Sequence, residues 1–319
     1  MNILISGASG YIGTKLVRAF IQAGVRPGLI TRSSDAILAY FNPADIDVYT
    51  ADITKPLAFV LKQDYDLFIH LAAANDIDSR DPRDALLTTT LGTRNCLDFC
   101  KLNEIHKFIY FSTFQVLGSN TGKLSEQVQP TPSNDYGVTH LFAEEYVRMF
   151  QRNHGIDYLI LRPTNIFGAP VSIDVDRWSL VPNCFCKELM EQGSITLMSS
   201  GKQIRDFINL NDLVDITLLF TSKFNEFTNR TIHLSSGNNY SILEIAEVCM
   251  KVYTNRMGKK PALKILSEEP RNPNEYTIDR TILLELDCHF RPHNSIVKEV
   301  NAIFDLLIQN KNHGFNSTI

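Results

Sequence analysis

Through the first half of the chain, short uninterrupted apolar runs alternate with segments whose apolar residues recur every three or four positions. The runs at 3–6, 28–31, 48–50, 67–71, 107–112 and 157–162 predict parallel strands buried on both faces, because a strand with one wet face would alternate instead. Between them, helical periodicity at 14–23, 56–61, 82–102 and 136–153 predicts crossover helices. Such alternation dictates a doubly wound parallel α/β domain with right-handed connections. Beyond residue 162 the pattern changes. Prolines enter at 163, 170 and 182 and the loops lengthen. Helices are predicted at 180–192, 242–253 (opened by Ser241 as N-cap), 282–286 and 295–309, with strands at 195–198 and 231–234. This part reads as a smaller, interleaved C-terminal α/β lobe. The division expected is 1–165 plus about 207–235 for the first domain, about 166–206 and 236–310 for the lobe, and a polar, frayed tail at 311–319.

Composition narrows the class. A net charge of −4 gives no global electrostatic reason to bind nucleic acid or an anionic membrane. No run of about 18 apolar residues is present to span a bilayer, and the N-terminus reads as the first strand rather than as a signal peptide. The six cysteines are scattered, which suits reduced core residues of a cytoplasmic protein. Cys288, His289 and His293 form the one suggestion of a metal site, but Pro292 breaks their spacing and no second cluster completes the ligands. No metal is expected.

The first strand runs straight into Gly7-Ala8-Ser9-Gly10-Tyr11-Ile12-Gly13, and a helical pattern follows at once. Gly7 permits the tight turn, Gly10 lets backbone approach a pyrophosphate, and Gly13 lets the helix pack on the sheet. The helix N-terminus then offers free N–H groups to the anion. Further along, Ser112-Thr113 ends a strand, and strand C-termini are where ligands sit in an open α/β sheet. Tyr136 and His140 are four apart on a predicted helix and share a face. A tyrosine there serves as general acid or base if a neighbouring group tunes it.

These segments together resemble the extended short-chain dehydrogenase/reductases, in the nucleotide-sugar epimerase/dehydratase/reductase group, with a Rossmann-like first domain and a substrate-binding lobe. The resemblance covers the chain to about residue 308. It implies that Gly7, Ser9, Gly10, Tyr11, Ile12 and Gly13 hold the cofactor diphosphate and that Asp52 and Ile53 meet the adenine. It implies also that Leu71, Ala72 and Ala73, within His70-Leu71-Ala72-Ala73, lie along the cofactor. Gly92-Thr93-Arg94-Asn95 matches a family helix motif. Ser112, in the active-site strand, is expected to meet the cofactor together with Tyr136 and His140, while Thr113 matches the catalytic hydroxyl, which also meets substrate, and Tyr136 the catalytic tyrosine. Pro163 matches the residue that contacts the nicotinamide and Asn165 one that contacts substrate. Arg205 and Arg271 match arginines that hold a nucleotide-sugar diphosphate, for which bidentate guanidinium pairing is suited. The helices at 82–102 and 136–153 resemble the family's dimer interface, with Leu86, Leu97 and Phe142 as apolar candidates, so a homodimer is expected.

The chain departs from the family at three places. The motif Tyr-x-x-x-Lys carries His140 in place of lysine. This leaves open slower catalysis, catalysis favoured when His140 is charged, or none. After the second strand, Thr31-Arg32-Ser33-Ser34 replaces the acid that NAD-preferring members place there, and Arg32 with Ser33 favours NADP(H) over NAD(H) through a 2′-phosphate. Phe114-Gln115 replaces the carboxylate pair of 4,6-dehydratases. The reading is an NADP(H)-dependent reductase of a nucleotide-diphosphate keto-sugar, at C4. The alternatives are an NAD(P)-dependent nucleotide-sugar epimerase and a non-catalytic NADP(H)-binding protein.

Overall fold

The computed structural model describes residues 1–118, 121–267, 276–285 and 296–315, with side chains of the last helix to residue 310. Arg271 and the segment holding Cys288, His289 and His293 lie outside the described residues. The chain forms two compact units, each built from three stretches: 1–119, 125–163 and 214–234 in the first, and 120–124, 164–213 and 235–319 in the second.

The first unit is built on a seven-stranded parallel sheet. Its strands are β1 (Ile3–Ser6), β2 (Gly28–Thr31), β3 (Asp47–Thr50), β4 (Leu67–His70), β5 (Lys107–Phe111), β6 (Asp157–Pro163) and β7 (Arg230–Leu234), in the order β7-β6-β5-β4-β1-β2-β3. The order reverses between β1 and β4, so a crevice opens at their carboxyl ends. Every residue of β1, β2 and β4 is buried, which is why these strands read as unbroken apolar runs. Helix Tyr11–Gln22 follows β1 and helix Asp135–His154 precedes β6.

Three expectations are corrected here. Residues 56–61 form no helix. Phe59 stacks on Tyr49 at 4.9 Å and on Phe99 at 4.6 Å, and Leu57 is buried, so side-chain anchoring holds open a segment too short to nucleate a helix. The expected single helix at 82–102 is instead Pro82–Ala85, a π-helical stretch Leu86–Leu91, and Gly92–Leu102. Leu97, offered as an interface residue, is fully buried in the core with Cys96, Phe99 and Phe108, whereas Leu86 and Phe142 are exposed.

The second unit contains the small sheet Asn165–Phe167, Ile204–Asn209 and Asn239–Ser241. It also contains the helices Val181–Gln192, Ile242–Met257 and Ile296–Phe315, which enclose a core around Phe185, Leu189, Cys249 and Phe304. Ser241 is the N-cap of Ile242–Met257, in a reciprocal capping box with Glu244. Strand Ile204–Asn209 and helix Leu210–Ser222 went unread in the sequence, since Leu-Val and Leu-Leu-Phe dominate the helix and blur its period. The described cysteines are all free. No described helix is long and apolar enough to cross a membrane.

Candidate active site

The loop after β1 is a cradle of backbone. Gly7 has φ of +75°, and a Cβ there would lie 2.7 Å from the Ala72 nitrogen. A Cβ on Gly13 would fall 2.2 Å from the Gly7 carbonyl oxygen, so loop and helix touch backbone to backbone. Gly10 is the N-cap of Tyr11–Gln22, with no side-chain cap and no acid in the first turn, so the leading N–H groups and the positive dipole end are left for an anion. Ser9, Tyr11 and Ile12 belong to the same turn. Leu71 N–H donates to the Ser6 carbonyl at 3.1 Å, which brings Leu71, Ala72 and Ala73 beside the loop. A dinucleotide pyrophosphate fits the donor set and the space that the glycines keep open.

At the end of β2, Ser33 Oγ accepts from Ala36 N–H at 3.4 Å and caps the short helix Ser34–Leu38. Arg32 beside it is exposed. Asp52 accepts Thr54 N–H at 3.0 Å and Thr54 O–H at 2.8 Å, and these bonds hold its carboxyl below the usual range, with Lys55 and Arg32 adding to the effect. Ile53 packs beneath Gly92, where a Cβ would meet its Cδ1 at 2.8 Å, and its carbonyl accepts from Asn95 Nδ2 at 2.8 Å.

The chemistry-bearing side chains stand at the carboxyl end of β5 and at the start of Asp135–His154. Ser112 Oγ donates to Glu144 Oε1 at 2.6 Å, so its hydroxyl serves the framework. Thr113 Oγ1 accepts from Gln115 N–H at 3.2 Å, which leaves the hydroxyl proton to donate elsewhere. Asn134 caps the helix by accepting from Gly137 N–H at 2.8 Å and so sets Tyr136 in its first turn. The rings of Tyr136 and His140 meet edge to face, centroids 4.7 Å apart. His140 is 2% exposed, its Nδ1 lies 2.7 Å from the Tyr110 hydroxyl, and its Nε2 is buried without a hydrogen-bond partner. Burial depresses its pKa to about 4, against the opposing pull of Glu144, so the imidazole is neutral at pH 7.

Behind these residues lies a buried ion pair. Arg162 grips Glu144 with two bonds, Nε to Oε1 at 2.7 Å and Nη2 to Oε2 at 2.6 Å, and Arg148 adds a third at 2.8 Å. Burial pushes the Glu144 carboxyl up, but the two guanidiniums and Ser112 hold it below the usual range. Tyr110 and Glu144 were not anticipated as site residues. The available signals were a polar tip in an otherwise apolar buried strand and an acid four residues after His140 on the same helix face.

Pro163, the last residue of β6, pairs with Leu234 of β7 in the first unit. Asn165 and Arg205 belong to the second unit. Asn165 Nδ2 donates to the Asp206 carbonyl at 2.8 Å, and Arg205 Nη1 donates to the Ile204 carbonyl at 2.9 Å. The Asp206 carboxylate instead collects Thr164 Oγ1 at 2.5 Å, Ser235 Oγ at 2.9 Å, and the N–H groups of Ser236 and Gly237 at 3.3 and 2.8 Å. Burial raises its pKa and these neutral donors offset that only in part. Among the described residues no group of His, Cys, Asp and Glu is arranged to hold a metal.

A family model described as "NAD dependent epimerase/dehydratase family" matches residues 3–235. GDP-6-deoxy-D-talose 4-dehydrogenase of Aggregatibacter actinomycetemcomitans is 29% identical, over 82% of this chain and 83% of its own. A putative UDP-glucose 4-epimerase of Methanocaldococcus jannaschii is 24% identical, over 77% and 80%. The solved structure of UDP-glucuronic acid 4-epimerase from Bacillus cereus in complex with NAD shares the fold, with a TM-score of 0.83 and 24% identity over 97% of this chain and 99% of that one.

Proposed function

The chain belongs to the NAD dependent epimerase/dehydratase family, enzymes of NAD(P)-dependent type that act on sugar nucleotides, and from that premise we propose that it reduces a nucleotide-diphosphate-linked keto-sugar at C4 with NADP(H). The observation that carries the direction is the neutral, buried His140. A fixed cation four residues after the tyrosine, as lysine supplies, stabilises the phenolate that sugar oxidation needs as its base. A neutral imidazole favours the protonated phenol, which is the form that reduction needs.

When bound, the dinucleotide supplies the hydride. Tyr136 gives its proton to the carbonyl oxygen, and Thr113 donates a hydrogen bond to the same oxygen, its acceptor side being occupied by Gln115 N–H. Gly7, Gly10 and Gly13 hold the diphosphate, and the exposed Arg32, on a turn with no acid at the strand end, receives the 2′-phosphate. Asn165, Arg205 and Arg271 serve the sugar nucleotide, and Pro163 the nicotinamide face. A homodimer, through the surface carrying Leu86 and Phe142, belongs to the same proposal.

The names of the relatives favour a second reading, a 4-epimerase that keeps its nicotinamide. One experiment separates the two: cofactor-stripped protein is mixed with NADPH and a nucleotide-linked 4-keto-sugar. Reduction predicts one NADPH oxidised per alcohol formed and free exchange of cofactor. Epimerisation predicts that unstripped protein given one nucleotide-linked 4-alcohol and no added cofactor forms its 4-epimer with no net change in cofactor, and that NADPH oxidation in the keto-sugar mixture stops at about one per protein. Arg32→Ala should weaken NADPH binding and leave NADH nearly unchanged; equal losses refute the 2′-phosphate assignment. His140→Lys should raise the oxidative rate, and an unchanged rate and pH profile would remove His140 from the argument.

A further inference from the structure

Thr31, the last residue of β2, is buried, and its hydroxyl serves a single neighbour. Oγ1 donates to the Ser33 carbonyl at 2.9 Å and accepts the Ser33 N–H at 3.2 Å. One hydroxyl thus ties both main-chain polar groups of the residue two places on, a short-range clasp of the kind threonine forms at turns. The chain bends at Arg32 between them. Ser33 in turn caps the helix Ser34–Leu38, so the far side of the bend is fixed as well. Arg32 stands at the apex with its side chain exposed.

The main chain of Thr31 has a separate duty. Thr31 pairs with Thr50 of β3, and its carbonyl accepts the Ala51 N–H at 2.8 Å. Ala51 leads directly into Asp52 and Ile53, the pair expected to meet the adenine. The backbone of Thr31 therefore holds the adenine side, and its hydroxyl holds the turn that carries Arg32. A substitution that removes only the hydroxyl separates the two.

We propose that Thr31 is a positioning residue whose hydroxyl clasp presents the Arg32 guanidinium to the 2′-phosphate of NADP(H), and so sets part of the discrimination against NAD(H) through Arg32 rather than by touching the ligand. This deepens the cofactor part of the proposed function and rests on it. A guanidinium on a loose turn must be ordered as it binds the anion, whereas on a clasped turn the main-chain share of that ordering is already complete. NAD(H) carries a hydroxyl where NADP(H) carries the phosphate, so it gains little from the guanidinium and little from the clasp.

The test is calorimetric titration of cofactor-stripped protein with NADPH and with NADH, for wild type, Thr31→Val, Arg32→Ala and the double variant. Valine keeps the shape of the side chain and the bond to Ala51, and water takes up the polar groups of the exposed Ser33. Thr31→Val should weaken NADPH by about three- to tenfold, the ordering cost of one long side chain, and leave NADH unchanged. In the Arg32→Ala background the same substitution should change neither, because the two residues act as a unit. Thr31→Ser, which restores the hydroxyl, should return NADPH affinity toward that of the wild type. Equal losses for both cofactors, a loss that persists without the guanidinium, or an unchanged NADPH affinity overturns the proposal. If Thr31→Val fails to fold, Thr31→Ala compared with Thr31→Ser reads the same difference. Arg32→Ala that weakens NADPH and NADH alike strikes the 2′-phosphate reading and the clasp with it. A selective Arg32→Ala beside an unselective Thr31→Val strikes the clasp alone. Failure of the wild type to bind either dinucleotide strikes both.

Discussion

Glu144 in the first unit and Asp206 in the second are both buried carboxylates collecting several hydrogen bonds, yet their acidities move in opposite directions. Burial raises both. Glu144 faces Arg162 and Arg148, and two positive charges within hydrogen-bond reach outweigh desolvation. Asp206 is met by two hydroxyls and two backbone amides, and these dipoles fall short. Hydrogen bonds of equal number therefore do not make equal sites. Behind Ser112 and Thr113 the fold has a charge that stays fixed through neutrality, while the node that joins Thr164 to Ser235 in the second unit is held by weaker means.

The largest effect expected from this contrast comes from Glu144→Ala, which strands Arg162 as a buried charge and should cost about 3–5 kcal/mol in denaturant unfolding. A loss below roughly 1 kcal/mol would mean that the pair is no framework. Next comes pH. His140 and His70 have pKa values depressed to about 4 and about 3 by burial, so between those values and the ordinary 6.5 the unfolded chain binds protons that the native one does not. Stability should fall as pH drops from 6.5 toward 4, and His140→Leu should reduce the slope of melting temperature over that range while His70 keeps the remainder. Asp206→Asn should cost about 1–3 kcal/mol, less than Glu144→Ala, because its amide group turns N–H toward donors. The carboxylates also differ in sign. Stability from Glu144 is lost as pH falls below 4.5, whereas that from Asp206 is lost as pH rises from 3.8 through its own raised value. A titration of unfolding in Asp206→Asn should lack the second slope. The smallest effect is Ser241→Ala, about 1 kcal/mol for a lost capping box, visible as a lower midpoint with unchanged slope.

The inner strands were legible because they are short, apolar and closed on both faces, and β1 and β2 fall where the runs do. The glycine cradle was legible too, since Gly7 and Gly13 leave contacts that no Cβ survives. The π-helical stretch Leu86–Leu91 was not, because one added residue per turn leaves no mark in a run of leucines and threonines. Residues 56–61 misled because their apolar spacing reflects ring stacking by Phe59 rather than a helix face. His140 stood out by its type alone, but its neutrality and its bond to Tyr110 depend on a strand 30 residues away, which no local pattern encodes.

The route of the chain has a consequence for its birth on the ribosome. β6 is synthesised long before β7, and between them the chain leaves to build part of the second unit. Until Leu234 emerges, β6 has no strand on its outer side, and Leu159, Ile160 and Leu161 border an open edge. A nascent sheet in that state offers a ready surface for strand addition by a neighbouring chain. Slow translation between residues 163 and 230 would lengthen that exposure, so chaperone capture during synthesis should concentrate on this stretch and end when β7 docks.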